Sequence, residues 1–546
     1  MNLTGSPMYR LFEKIKACHM ALVRWSQTLG NSKEQIELKY TKLEALTSMN
    51  LVENQNQIHK VQDEINCLLL QDEFFWWQRS RVIWLPVEDK NTKYFHQRAS
   101  QQRRKNHIHG FLDEHEQWCT SNADIARLAK NYFQNLSTTS NPTNSELVLD
   151  SMDKVVHPDM NHTLLQPYTP EEVRKALFSM HPSKSLGSDG MSRFFFQKFW
   201  HVVGNDVTSA VLSILHSGHF LHKMNYTHIV LIPKINEPKN VSDYRPISLG
   251  NTVSRIVSKV IANRLKLILP NVISDSQSAF VPNRLITDNT TVAFEVLHRM
   301  WNKRTGKKGQ MAIKLDINKA YNRVEWSFLR KIMLKLGFDE RWVQLAMATI
   351  HTATYSVLIN GEPKGYISPS QGLKDSLSPY LFLLCVEGLS SLIRKAMETK
   401  QLHGILSCKN GVCISHLLFA DNSFIFCQAT MEEGQHLLNI LGRYEVTSGQ
   451  AINRHKTSIF FSRNTRDSVK AGIQALFGGR IMEDYEPYLG LPMTGGRSKV
   501  NTFKGLQEKI TKKVMGWKEK FISKAGREIF IKTVAQAIPT YTMGIF

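Results

Sequence analysis

Long apolar runs are missing from this 546-residue chain. No 18-residue stretch is apolar throughout, which excludes a conventional membrane-spanning helix. The N-terminus lacks the basic-then-apolar order of a secretory signal. Cysteine is sparse and unpatterned, with seven at 18, 67, 119, 385, 408, 413 and 427 and no Cys-x-x-Cys pair. Such a set argues against a zinc ribbon or a disulfide framework, and a reducing compartment, nucleus or cytoplasm, is expected. Acidic residues are in short supply. Against 69 Lys+Arg stand 47 Asp+Glu, leaving a net charge of +22. That imbalance points to a polyanionic partner, nucleic acid before anionic membrane, and no membrane partner is expected. At 42% hydrophobic residues, the chain is long enough to bury a core and to hold two or more domains.

Two short segments carry the chemistry. In HLLFADNSFIFC, residues 416 to 427, two β-prone runs flank Ala420-Asp421-Asn422-Ser423 and read as a hairpin with a polar tip. Taken alone, Asp-Asn is ordinary turn chemistry. In MAIKLDINKAYNRVEW, residues 311 to 326, a buried strand ends near Asp316. Val324, Trp326, Phe328, Leu329 and Ile332 then step at helical spacing, which places Asp316 before a helix whose amides favour anions. A carboxylate at a strand end and one at a hairpin tip suit Mg²⁺ and phosphoryl transfer.

The rest of the chain supplies the setting. Residues 1 to 70 read as helical, with Ile58, Val61, Ile65 and Leu68 forming a stripe for a helical hairpin or coiled coil. In residues 71 to 110, Phe74, Phe75, Trp76, Trp77 and Trp84 interleave with Arg79, Arg81, Lys90, Lys93 and Arg98. This is either a core with a solvated face or a nucleic-acid surface. The polar stretch 135 to 146 reads as a linker or loop. Thr169-Pro170-Glu171-Glu172 opens a helical region extending to about 222, interrupted by the loop 182 to 190. Ile229 to Ile232 read as a strand stopped by Pro233, and 252 to 268 as a core helix. Residues 503 to 522 read as an amphipathic helix with lysines on its outer side.

Several stretches match one family in its own order. These are IPK at 232 to 234, YRPISL at 244 to 249, KLDINKAYNRVEW, LSPYLF at 377 to 382, HLLFADN, SGQAIN at 448 to 453, YLGLP at 488 to 492 and GWKEKFISKAGRE at 516 to 528. The chain resembles the reverse transcriptase of a plant non-LTR (long interspersed element type) retrotransposon. The resemblance implies an α+β right-hand polymerase with fingers, palm and partial thumb behind a helical N-terminal extension. It implies RNA-directed DNA synthesis from an RNA template, a DNA primer and deoxynucleoside triphosphates, with two Mg²⁺ ions on three carboxylates. Asp316 and Asp421 match two of the three, and Lys456 matches a proton donor to pyrophosphate. Lys234, Arg245 and Arg284 resemble triphosphate-binding positions, although Arg284 by itself reads as a solvated surface arginine. Tyr321 resembles the ring that excludes a 2′-hydroxyl, and Arg79, Arg81, Lys90, Lys93 and Arg98 fall on the template side. The division expected is 1–110 extension, 111–228 connector, 229–495 fingers and palm, and 496–546 start of the thumb.

Three departures stand against that pattern. Asn422 occupies the place of the second hairpin aspartate. Asn322 replaces a usual aspartate that holds no metal. In PSQGLKDSLSPYLF, residues 369 to 382, the family's Gly-Leu-Arg-Gln-Gly-Asp-Pro order is broken. Either a Gln-Gly pair is missing between Lys374 and Asp375, or Gln371-Gly372 is that pair with Leu373-Lys374 inserted. The expectation is an impaired copy, cut short in the thumb and without a preceding endonuclease, or else a dead relic that only binds nucleic acid.

Overall fold

The computed structural model describes residues 4–28, 32–48, 54–85, 92–407, 411–482, 487–492, 499–515 and 522–544. The chain forms two compact units. One comprises Met1–Phe12, Gly110–Leu231 and Pro238–Thr502, and the other Glu13–His109, Ile232–Glu237 and Phe503–Phe546.

The first unit is built around the strand Gln310–Asn318. Its Met311, Ala312, Ile313, Leu315 and Ile317 are buried, so both faces are covered. The strands Asn422–Gln428 and Ser458–Phe461 flank it, His416–Phe419 and Arg480–Ile481 lie outside them, and Ala451–Ile452 adds at its C-terminal end. All pairs are antiparallel except Ser458–Phe461 with Arg480–Ile481. The helix Ile286–Asn302 covers one face, packing Ala293, Val296, Leu297 and Met300 against Ala312, Phe424, Phe426 and Phe460. This is the small, helix-backed antiparallel sheet expected of a palm. Tyr488, in the hairpin of Pro487–Tyr488 and Leu491–Pro492, packs on Phe424 with ring centroids 4.7 Å apart.

A second sheet orders Tyr244–Gly250, Tyr226–Pro233, Thr354–Ile359 and Glu362–Ile367. The strand over 229 to 232 ends at Pro233 as expected. The helix Pro170–Phe178 opens with a complete capping box between Thr169 and Glu172. Glu172 also pairs with the buried Arg264 at 2.7 Å, which ties this helix to the core helix Thr252–Val272.

One local expectation fails. The strand runs past Asp316 to Asn318, a 3₁₀ turn follows at Ala320–Arg323, and the helix begins only at Trp326. Helix amides therefore do not hold Asp316. Of linker or loop, 135 to 146 is for the most part a loop, and a fastened one. Thr139 Oγ1, Ser140 N and Ser140 Oγ donate to the buried Glu325 carboxylate at 2.5, 2.9 and 2.9 Å, fastening this stretch into the unit.

In the second unit, the helices Ser32–Ser48, Gln55–Ser80 and Thr92–Asn106 pack side by side. Val61 and Ile65 of the expected stripe are buried. Val82, Leu85, Tyr94, Phe95 and Ile522 form a core with Trp76, Trp77 and Trp84 against it. The helix Lys499–Met515 half-buries Phe503, Leu506 and Ile510, while Trp517, Lys518 and Lys520 lie outside the described residues.

Candidate active site

Phe419 faces Asn422 across the hairpin, leaving Ala420-Asp421 as a two-residue turn. Such turns need a left-handed residue, and Ala420 supplies it at φ +52°. For a residue with a Cβ that conformation costs about 1 kcal/mol. The carboxamide of the buried Gln277 holds it by accepting the Ala420 N–H at 3.1 Å. Next, Asn422 pairs with Asp316 on the central strand, so the two side chains share one face. The Ile317 N–H donates to Asp421 O at 3.2 Å, and the Asn453 N–H to Asp316 O at 2.8 Å. Lys456 Nζ donates to Asp316 Oδ2 at 2.9 Å. Four sequence-expected residues, Asp316, Asp421, Asn422 and Lys456, thus come together from three stretches of chain.

The electrostatics suit a cation. Burial pushes the Asp421 carboxyl above its ordinary range, and the Asp316 charge adds to the push. A backbone hydrogen bond and Lys456 pull the other way. Tyr321 stands close enough that burial, and then the Asp421 charge, push its phenol to about 12, so it stays neutral. Its ring lies 4.7 Å from that of Phe382. Crowded, partly desolvated carboxylates are what a hard divalent cation relieves, so Asp316, Asp421 and the Asn422 amide oxygen fit one. Among the described residues no third carboxylate, His or Cys joins them in a metal-holding group.

The other expected residues are dispersed. Arg245 is exposed on Tyr244–Gly250, and Lys234 is exposed within Ile232–Glu237 of the second unit. Arg284 is not a solvated arginine. Its side chain is 16% exposed, and its fork donates to the carbonyls of Pro270, Ile273, Ser274 and Gln277 and to Asp275. It staples the C-terminal end of Thr252–Val272. In the second unit, exposed Arg79 lies 4.0 Å over the Phe75 ring, and Arg81 caps Gln55–Ser80 in a left-handed conformation. Lys93 is exposed, Arg98 is half-buried, and Lys90 lies outside the described residues.

The altered loop before LSPY is packed, not loose. Gly372 sits at φ +92°, and a Cβ there would meet Asn322 O at 2.7 Å. Gly372 N and Leu373 N donate to Val324 O and Tyr321 O, each at 2.8 Å. Asp375 accepts from Leu377 N and Ser378 N at 2.9 Å and opens the helix Ser378–Glu398. Sequence reasoning missed Lys374. Its Nζ is buried 4.1 Å over the Tyr355 ring with no hydrogen-bond partner among the described residues, and burial pushes it down to about 7. It also missed Glu325, whose signal is only a carboxylate between Val324 and Trp326.

Comparison with known proteins agrees with this geometry. Residues 232–493 match the family described as Reverse transcriptase (RNA-dependent DNA polymerase). The uncharacterised 149 kDa protein of transposon TX1 from Xenopus laevis is 26% identical over 464 residues, which is 83% of this chain and 34% of that protein. The Pol polyprotein of the type-2 retrotransposable element R2DM from Drosophila melanogaster is 24% identical over 279 residues, 50% of this chain and 24% of that protein. An uncharacterised mitochondrial protein of Arabidopsis thaliana is 53% identical over 68 residues, 12% of this chain and 56% of its own. The chain spans about a third of the TX1 protein and a quarter of R2DM. With the palm sheet and its paired carboxylates, these matches establish that residues 232–493 hold a retrotransposon reverse transcriptase domain with the polymerase fold, homologous to those of non-LTR elements.

Proposed function

We propose that this domain synthesises DNA on an RNA template from deoxynucleoside triphosphates and a DNA primer, and that this copy does so poorly. The observation that carries the reading is the meeting of Asp316, Asp421 and Asn422 at one end of the palm sheet. Asp316 and Asp421 are the residues that would hold divalent cations, Mg²⁺ in this proposal. When bound, such ions supply Lewis-acid stabilisation of phosphate oxygens and favour the ionised primer hydroxyl. Lys456 Nζ, ion-paired with Asp316, is the group that gives a proton to the departing pyrophosphate in this reading. The neutral Tyr321 ring bars a ribose 2′-hydroxyl. Lys234 and Arg245 take the triphosphate, and Arg284 acts indirectly, its fork being spent on carbonyls. Residues 1–110 act as an extension whose Arg79, Arg81, Lys90, Lys93 and Arg98 face template, 111–228 as connector, 229–495 as fingers and palm, and 496–546 as the start of the thumb. A plant element, working in the nucleus or cytoplasm, is the source we infer, on the 53% identity with the Arabidopsis segment.

Asn422 favours a second reading, a catalytically dead relic that binds nucleic acid. Asparagine matches the shape of aspartate but lacks its charge. Losing one preorganised electrostatic group typically costs on the order of 100- to 1,000-fold in rate. Primer extension on poly-rA/oligo-dT decides between them. Slow but template-dependent extension supports the enzyme. No extension, even after Asn422→Asp, supports the relic.

A further inference from the structure

At the end of the central strand away from Asp316 the fold builds a second basic surface. From Arg299 the chain runs through Lys303, Arg304, Lys307 and Lys308 with no acidic residue before Gln310 starts the strand. Arg463 and Arg466 follow the neighbouring strand Ser458–Phe461. The two segments are laced together. Asn464 Nδ2 donates to the carbonyls of Thr305, Gly306 and Lys308 at 3.3, 3.0 and 3.1 Å, and Asn464 N donates to Lys303 O at 3.2 Å. The loop is therefore a fastened platform presenting exposed Arg304, Lys307 and Lys308. Beside it opens a groove of about 560 Å³ lined by Glu295, His298 and Arg299 of Ile286–Asn302 together with Lys303, Gln310 and Ser407, so a single carboxylate stands among its cations. Gln310 Oε1 is buried there with no hydrogen-bond partner among the described residues. Exposed Arg463 lies 4.1 Å over the Trp301 ring.

The like charges crowd one another. Burial, and then the Arg299 charge, hold the Lys303 ammonium below its ordinary range. Asp467, the nearest acid in sequence, is engaged by Lys470 at 2.8 Å. A polyanion answers that crowding. We propose that this surface binds the phosphate backbone of single-stranded nucleic acid, separately from the carboxylate site. From Gln310 to Asp316 the strand rises about 20 Å, so the two sites are distinct. The exposed loop residues are Arg, Thr, Gly and Lys, with no large apolar side chain to enter a membrane. Trp301 is itself stacked on Phe460, so it is the exposed Arg463 guanidinium, backed by the indole, that is offered to a base or a phosphate. The proposal does not rest on polymerase activity.

The test uses the full chain and a labelled single-stranded RNA, without primer, nucleotide or divalent metal. Affinity is measured against salt between about 50 and 200 mM. Arg304→Glu with Lys307→Glu and Lys308→Glu is compared with a control reversal of three other exposed cations, Lys175→Glu, Lys335→Glu and Arg341→Glu. Each lost phosphate contact lowers the log–log slope by about 0.7, so the platform triple should lose roughly two units and the control little. Lys307→Gln with Lys308→Gln, a gentler change, should lose about 1.4. Thermal melts establish that each variant is folded. Equal shifts in both triples would mean net charge alone acts, and no shift in either would remove the contact. Binding of phosphatidylserine vesicles through these residues, with RNA binding unchanged, would also overturn the proposal. Loss of extension by the parent chain leaves this test untouched, so the two proposals fail separately.

Discussion

Asparagine at position 422 keeps the volume and turn preference of an aspartate and gives up a charge. Its cross-strand partner is Asp316, so an added carboxylate would face another one. Without metal that is repulsive, and with metal it is a further ligand. Asn422→Asp is therefore expected to tighten Mg²⁺ or Mn²⁺ binding and to raise single-nucleotide incorporation by up to about 100-fold. The circular dichroism spectrum should stay as it was. An unchanged metal titration would remove Asp421 and its neighbour from the metal site. These residues were legible because their setting is local, a tight turn and a strand end. Glu325 was not, because its partners lie 185 and 186 residues away. Removing its carboxylate takes the acceptor from three part-buried donors on Thr139 and Ser140, so Glu325→Ala should cost about 1 to 2 kcal/mol in urea unfolding and Glu325→Gln less. Equal losses would mean that packing, not hydrogen bonding, is its contribution. Arg284 was misread for a related reason, since its acceptors are carbonyls that no side-chain pattern displays.

Among the elements, the hairpin and the central strand follow their apolar patterns closely, whereas the loop before LSPY depends on contacts made after folding. Its Gly372 and Leu373 amides are spent on the segment that carries Tyr321 and Val324. Lengthening it acts on the wall beside the carboxylates. Adding Gln-Gly between Lys374 and Asp375 to Asn422→Asp should raise incorporation beyond Asn422→Asp alone and leave metal affinity unaltered. A fall in incorporation would favour the alternative in which Gln371-Gly372 is already the pair. The hairpin also carries a pH dependence. His416 opens it, buried between Ser390 Oγ at 2.8 Å and Ser415 Oγ at 2.9 Å. Burial, and then the Arg394 charge, hold its imidazole at about 3 in place of 6.5. The unfolded chain takes up that proton and the folded chain does not. This contribution to stability is complete above about 6.5 and is lost as pH falls towards 3, by up to about 1.4 kcal/mol per pH unit. His416→Asn should be less stable at pH 7 yet show a shallower decline in denaturant midpoint towards pH 4. Parallel declines would assign the acid sensitivity to other groups.

For the whole molecule, the order of motifs along the chain is visible in the sequence, but the long-range assembly is not. Nothing local indicates that Trp84 meets Phe530 at 5.1 Å or that Ile522 joins the core of Leu85 and Phe95. Net charge, by contrast, needs no fold to be read, and it separates two properties that a reverse transcriptase normally joins. Binding sums weak contacts from many of the 69 Lys and Arg residues, so one missing carboxylate hardly changes it. Catalysis, in the proposed reading, would run through the single cluster of Asp316, Asp421 and Asn422, where the same loss is large. The unaltered chain should therefore bind RNA and RNA/DNA duplex without strong sequence preference. Affinity should fall by about 1,000-fold or more between 50 and 200 mM salt. Over the same range it should extend a primer barely or not at all. Salt-insensitive binding would show that phosphate contacts are not the source of affinity. Processive extension by the unaltered chain would show that Asn422 and the packed loop are compatible with an intact site.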